Sequence, residues 1–297
     1  VGRKQGHYMK KRKREEGFSR VDKKQGQVGN LTNMEGTLFC GHNRGALKGK
    51  GEEVKLISDE MGTWLFKQHP TMPNLIFMGN FTGIYVMEKK RKEWVYRNKI
   101  NGFDISSRFF EFSSPTQIIV NHEYKGVFRI NLDPDFQQAT EIELDSASCI
   151  SCNSSLVKFD DNIYYQAKEN LYKYNPKEGV FEKDALLNDL NTSIDFKQGK
   201  LLNDPTGQLW LFSKNNLYYI NKTEEEDKAV VNGFALNEKD RKNVSGFEHI
   251  NLLQGTNYLI GTNRGYLTVD LNRLNEEKTS PKINSISAND KQKSYTV

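Results

Sequence analysis

Apolar residues along this chain come in short runs split by Gly, Asn and Asp, and the pattern predicts strands rather than helices. The stretch "FMGNFTGIYV", Phe77 to Val86, sets apolar residues on either side of a small polar turn that ends in glycine, which reads as a β-hairpin. Related hairpins recur as "VGRKQGHYM", "LFCGHNRGAL", "IIVNHEYKGVFRI", "IYYQAKENLYKY", "LWLFSKNNLYYI" and "YLIGTNRGYLTV". Their anchor residues are Gly6, Gly45, Gly83, Gly126, Asn170, Asn216 and Gly265, so successive spacings are 39, 38, 43, 44, 46 and 49 residues. Gly or Asn at every anchor has a physical reason, because a tight hairpin needs a residue at positive φ and these types adopt it cheaply.

An apolar strand precedes each hairpin, as in "TWLFKQH", "SRFFEFS", "SSLVKFD", "GKLLND" and "FEHINLL", and a looser one follows, as in "EWVYRNKI", "ATEIEL" and "KAVVNGFAL". Four strands per repeat of this length, with no sustained 3.6-residue period, predict an all-β protein, a seven-bladed β-propeller of four-stranded antiparallel blades. The first blade lacks its inner strand, since nothing precedes "VGRKQ". Residues 1–279 are assigned to the propeller, and 280–297 to its last strand or to the start of another domain.

Composition agrees with a packed protein. The 297 residues are 36% hydrophobic and 11% aromatic, with 17 Phe and 13 Tyr, enough for one large core or two ordinary ones. No apolar run approaches the roughly 18 residues that could span a bilayer. The start "VGRKQGHYMKK" has neither a Met nor a signal-peptide apolar region, and reads as part of something longer.

The net charge of +5 is small, and much of it sits in "GRKQGHYMKKRKREEGFSRVDKK", where ten Lys or Arg face three acids. A nucleic-acid groove would interleave basic and aromatic residues across several elements, so this local cluster reads as a solvated hairpin and no nucleic-acid binding is expected. The three cysteines are Cys40 within a strand and the pair Cys149 and Cys152 in "CISC". No second CxxC or HxxxH completes a four-ligand site, and the cysteines read as structural, with the redox state of the pair open.

In a meander blade, the turn between the second and third strands lies on the same face as the segment leading into the innermost strand. The turns supply His42, Asn80, Phe81, His122 and Tyr124, with Arg3, Lys4, Arg44, Lys168, Lys214, Asn263 and Arg264 in the same class. The leading segments supply Gln27, Trp64, Arg108, Ser155, Lys200 and Glu248, and rank first because they begin nearest the axis on which blades converge. Trp64 can stack on a sugar or another flat face, and Arg108 can grip a carboxylate or sulfate through two hydrogen bonds. The competing reading packs Trp64 between blades and pairs Arg108 with a neighbouring acid.

His42 and His122 occupy equivalent turns two blades apart, but His7, His69 and His249 do not share that position, and no metal site is assigned. There is no HExxH, GxSxG, P-loop or strand-linked GxGxxG, so the chain is read as non-catalytic and without a cofactor. Asp160 with Asp161, and Asp133 with Asp135, read as turn formers.

The repeats "GQLWLFSKNNLYYIN" and "YLIGTNRGYLTVDL" resemble the two-component-regulator propeller repeat, whose usual core is Gly-x-Leu-Trp-x-Gly-Thr followed by Gly-Leu. The strings "GTLFCGHNRGAL", "LISDEMGTWLFKQHP", "GNFTGIYVMEKK", "NKINGFDISSRFFEF", "VNHEYKGVFRINL" and "GKLLNDPTGQLWLFSKNN" resemble the sensor region of Bacteroidetes regulators. In that family a propeller precedes an Ig-like triple-tyrosine domain, a membrane helix, a coiled coil and a LuxR-type helix-turn-helix. The tail "SPKINSISANDKQKSYTV" resembles the opening of the triple-tyrosine domain. Departures exist: Asn121, Ala167 and Ser213 stand where Gly41, Gly79 and Gly261 are expected to align, and Gly29 stands where an aromatic is expected.

The resemblance implies a periplasmic input domain of a membrane-bound transcription regulator often linked to glycan use, homodimeric at full length, attached to the membrane only through downstream segments. The leading functional expectation is a ligand-sensing propeller, with an oligosaccharide as one ligand class, signalling through a population shift between two arrangements. A second is a scaffold that binds proteins through blade edges or the rim. A third is a propeller lyase or glycosidase, for which His122, Tyr124 and Arg108 form the one set that could be nominated.

Overall fold

Alternation of inward and outward side chains turns nearly every apolar run of this sequence into a strand, and antiparallel pairing of neighbours then closes each repeat into its own sheet. The computed structural model describes residues 2–3, 6–9, 19–20, 26–50, 53–145, 154–167, 170–185, 187, 200–213, 216–222, 229–236, 248–262, 265–276 and 286–288. Cys149 and Cys152, and the turn residues Lys4, Lys168, Lys214, Asn263 and Arg264, lie outside them.

Two compact units divide the chain, Val1–Ser146 and Ala147–Val297. The first begins with a short three-stranded sheet, β1 (Gly2–Arg3), β2 (Gly6–Met9) and β3 (Ser19–Arg20). Three four-stranded sheets follow. These are β4 (Val28–Met34), β5 (Thr37–His42), β6 (Gly45–Lys50) and β7 (Glu53–Ser58); β8 (Leu65–Gln68), β9 (Leu75–Asn80), β10 (Gly83–Lys90) and β11 (Glu93–Lys99); and β12 (Phe109–Ser114), β13 (Gln117–His122), β14 (Gly126–Leu132) and β15 (Ala139–Asp145).

The second unit holds three more. They are β16 (Ser155–Phe159), β17 (Asn162–Ala167), β18 (Asn170–Asn175) and β19 (Val180–Lys183); β20 (Leu201–Asn203), β21 (Leu209–Phe212), β22 (Asn216–Lys222) and β23 (Ala229–Ala235); and β24 (Ile250–Gln254), β25 (Asn257–Gly261), β26 (Gly265–Asp270) and β27 (Ile286–Ala288). A short helix, α1 (Leu271–Glu276), follows β26 directly. Strand β27 pairs with β26 through Gly265 opposite Ala288, so part of the tail is the outer strand of the last sheet.

Among the described residues the fold is all-β, built of propeller blades, and six blades are complete where seven are expected from the sequence. Seven repeats are present in the sequence. The described residues of the first form strands of two to four residues in a three-stranded sheet.

Strand β9 shows why blades pack in series. Its sequence LIFMGN is buried at every position, since a blade has neighbours on both faces. Leu75 and Phe77 point to a cluster with Phe110, Phe112, Ile118, Val120 and Phe128 of the following blade. Ile76 and Met78, on the opposite side, join Phe39 and Ala46 of the preceding one. Each such side chain contributes roughly 1.5–3 kcal/mol on burial. In the second unit, Leu171 and Tyr164 meet Leu201 and Leu211 across one such interface, and Trp210 and Tyr219 meet Ile250 and Tyr258 across the next.

The register fixes which residues are equivalent. His42 pairs with Gly45, Asn80 with Gly83, His122 with Gly126 and Ala167 with Asn170, while the Ser213 amide bonds the Asn216 carbonyl. Gly41, Gly79 and Asn121 each lie one residue before that pair. Gln166 and Phe212, not Ala167 and Ser213, thus take the glycine position in their blades. The glycines are there because the next blade's leading segment comes close: a Cβ on Gly41 would lie 2.6 Å from the Thr63 carbonyl oxygen, and one on Gly79 would lie 1.9 Å from that of Ser107. Gly29 has the same explanation, since its Cβ would sit 3.0 Å from the Thr63 oxygen and 3.3 Å from the Trp64 ring. No aromatic fits there.

Candidate functional site

The turn of one blade is tied by backbone hydrogen bonds to the segment that leads into the next. Gly62 and Thr63 donate to the carbonyls of Asn43 and His42, at 3.1 and 3.2 Å, and Ser107 donates to that of Asn80 at 2.9 Å. Within the first blade the Gln27 amide bonds Asn43 Oδ1 at 3.1 Å, and the Asn43 amide returns to the Gln27 carbonyl at 3.0 Å. In the first unit, therefore, the two loop sets do share a face.

On that face the side chains form a continuous series across two blades. Phe81, at the β9–β10 turn, packs its ring 5.1 Å from that of Trp64, which leads into β8. The Trp64 ring in turn lies 5.2 Å from the Arg108 guanidinium, which leads into β12 and also rests 5.1 Å from the Phe109 ring. Arg108 Nη1 donates to Glu123 Oε1 at 2.7 Å, from the β13–β14 turn. Next to Glu123 are His122 and Tyr124, whose rings are 6.2 Å apart.

Gly62 makes the first of these contacts possible. It adopts φ +77°, and a Cβ there would come within 2.1 Å of the Phe81 ring.

The exposed aromatic area is not where the ranking by sequence put it. Trp64 is half-buried and Arg108 is engaged with Glu123, with side chains 16% and 24% exposed. Phe81 and Tyr124, from the turns, are 41% and 66% exposed and present the open surface. Trp64 packs against Phe81 and against Arg108 of the following blade, and Arg108 pairs with Glu123, which is the packing the competing reading describes.

Asn80 is wholly buried below Phe81. Its Nδ2 donates to the Glu60 carbonyl at 3.3 Å, while its Oδ1 is buried without a hydrogen-bond partner. An acceptor in that state costs about 1–3 kcal/mol unless something donates to it.

His42 and His122 are builders of their own turns. His42 Nδ1 accepts the Arg44 amide at 3.1 Å, and His122 Nδ1 accepts those of Tyr124 and Lys125 at 3.1 and 3.2 Å. Burial holds the His122 imidazole below its ordinary range, the Lys125 charge adds to this, and Glu123 partly offsets it. A neutral ring suits an Nδ1 that accepts. Among the described residues no group of three or more His, Cys, Asp or Glu is placed to hold a metal ion.

In the second unit, Ser155, Lys200 and Glu248 are brought together in part. Ser155 Oγ accepts the Leu201 amide at 3.0 Å, and Lys200 Nζ donates to the Glu248 carbonyl at 3.2 Å. These bonds join successive blades, much as Ser107 and Asn80 do in the first unit.

Glu123 is the site residue that sequence reasoning passed over. It stood inside the quoted turn "VNHEYKGVFRI", flanked by two residues that were singled out, and its signal was its charge opposite to that of Arg108.

No protein family and no curated protein matches this chain. Its fold is shared with solved structures. The extracellular domain assigned to the hybrid two component system BT3049 from B. thetaiotaomicron matches at TM-score 0.56 and 13% identity, over 83% of this chain and 33% of that one. That of BT4673, from the same organism, matches at TM-score 0.57 and 13% identity, over 90% of this chain and 36% of that one. The chain thus spans about a third of their length, and at this identity the likeness is one of fold. Among the described residues no helix is long and apolar enough to cross a membrane.

Proposed function

We propose that this chain is an extracytoplasmic, non-catalytic sensor propeller that binds a ligand, with an oligosaccharide as the leading class, through the face carrying Phe81, Trp64, Arg108 and Tyr124. The observation that carries the reading is the series Phe81–Trp64–Arg108–Glu123, in which half-buried Trp64 and Arg108 lie in contact with one another, beside the exposed Phe81 and Tyr124 of adjacent blades. Aromatic faces beside hydrogen-bonding groups suit rings that are apolar on one side and hydroxylated at the rim. The fold shared with extracellular domains of two-component systems supports the sensing role and the location.

Signalling follows from differential affinity. A ligand that prefers one arrangement of a full-length homodimer shifts the population toward it, by no more than the difference in its binding free energies. The triple-tyrosine domain, the membrane helix and the LuxR-type output belong to this proposal, as does completion of the first blade to give seven.

Isothermal titration of the whole chain against a panel of neutral and acidic oligosaccharides tests the site. Binding that falls tenfold or more in Trp64→Ala and in Arg108→Ala supports it, and affinity unchanged in both variants overturns it.

A further inference from the structure

The Arg108–Glu123 pair has a geometry that bears on what the face can bind. A guanidinium lying against the Trp64 and Phe109 rings is fixed in plane and position, and its Nη1 points to Glu123. Glu123 belongs to a hairpin turn whose next residue, Tyr124, is 66% exposed, and its own side chain is 24% exposed, so solvent and solutes reach the pair. A carboxylate and an anionic ligand group present the same oxygens to an arginine.

We propose that Glu123 is an internal competitor for Arg108, and that the ligand of this face carries a carboxylate or sulfate that displaces it. This rests on the sensor reading above. The turn His122–Glu123–Tyr124 then moves with ligand occupancy, because the pair that anchors Glu123 is exchanged for one with the ligand. Neutral ligands leave the pair intact.

Exchange of one ion pair for another costs little, because Arg108 keeps an anionic partner throughout. Removing the competitor is expected to raise anion affinity about two- to fivefold, a modest gain because solvent still reaches both partners.

The test uses the whole chain with methyl glucuronide and inorganic sulfate as anionic probes and methyl glucoside as the neutral control, titrated by calorimetry and by tryptophan fluorescence. Glu123→Gln, isosteric and uncharged, is expected to tighten both anionic probes about two- to fivefold and leave the neutral one unchanged. Arg108→Lys and Arg108→Ala are expected to lose them. Anion affinity that is unchanged or weaker in Glu123→Gln, while Arg108→Ala abolishes it, overturns the competitor role and makes Glu123 a residue that positions Arg108. Anion binding that is indifferent to every variant, or absent from the wild type and from Glu123→Gln, also overturns it. Neutral oligosaccharides that still need Trp64 in those cases leave the sensor reading standing, so the two failures are distinguishable.

Discussion

The Asp204 carboxylate, in the β20–β21 turn of one blade, accepts the hydroxyl of Tyr258, from β25 of the next, at 2.8 Å. The same oxygen accepts Trp210 Nε1 at 2.8 Å, and the other oxygen caps the turn through the amides of Thr206 and Gln208, at 2.7 and 3.1 Å. One side chain thus closes its own turn and latches two blades. Burial alone would raise its carboxyl, yet the hydrogen bonds from Thr206, Trp210, Tyr258 and Gln208 outweigh burial and hold it below the usual range. Burial pushes the Tyr258 hydroxyl up to about 12, so it stays a donor at neutral pH.

A depressed carboxyl stabilises the folded chain at every pH above the unfolded value of about 3.9, and that contribution fades as pH falls below it toward the folded value. Asp204→Asn is expected to cost about 2–3 kcal/mol at pH 7, because an amide cannot accept all these donors. Urea titrations from pH 7 to pH 3 check both points. The variant should show a flatter acid limb than the wild type, and identical acid limbs would sink the assignment.

Gly79 tests the closeness of successive blades. A Cβ at Gly79 would meet the Ser107 carbonyl oxygen at 1.9 Å, a backbone atom that cannot turn aside. At Gly36, by contrast, nothing lies within 4 Å, and the cost of a side chain is the left-handed φ of +74°. Gly79→Ala is expected to destabilise by about 2 kcal/mol or more, and Gly36→Ala by about 1 kcal/mol. Equal losses in denaturant unfolding would mean that the blades part more readily than the geometry requires.

His69 does in the second complete blade what Asp204 does in the fifth. Its Nδ1 accepts the amide of Met72 at 3.0 Å, and its Nε2 bonds the Pro115 carbonyl of the next blade at 2.8 Å. The ring also packs 5.3 Å from that of Phe112 and 4.9 Å from that of Phe136. His69→Phe keeps a ring and removes both bonds, and is expected to cost about 2 kcal/mol; His69→Ala removes the packing as well and should cost about 3–4 kcal/mol. If the Phe variant melts with the wild type, the hydrogen bonds contribute nothing.

These latches were illegible in the sequence, whereas the blades were not. Gly45, Gly83 and Gly126 announce hairpins because positive φ is a local requirement, and the structure gives them φ of 124°, 123° and 99°. Asp160 and Asp161 likewise read as turn formers, and both adopt positive φ. The link from Asp204 to Tyr258 joins residues in different repeats, and nothing local in either marks it. The glycine alignment slipped by one at Ala167 and Ser213 for a related reason: the requirement at Gly79 comes from the neighbouring blade's backbone, which only the register of pairing locates. For the site, the shared face of turn and leading segment followed from meander topology. Which of its side chains stay open to solvent depended on the Arg108–Glu123 pair and on the absence of a Cβ at Gly62.

That dependence separates support from contact at Trp64 and Phe81. The Trp64 ring lies between the Phe81 ring and the Arg108 guanidinium in the series, so its removal leaves a hole and takes from Arg108 one of the two rings it rests on. Phe81 is 41% exposed, and its removal mainly uncovers Gly62. Trp64→Ala is expected to cost about 2–3 kcal/mol of stability as well as binding, a little below the range for a fully buried ring. Phe81→Ala is expected to cost under about 1 kcal/mol of stability, as an exposed substitution does, while still weakening any ligand that stacks on the face. Denaturant unfolding and ligand titration on both variants decide the matter: a Phe81→Ala chain that binds as the wild type does would place the contact surface on Tyr124 alone.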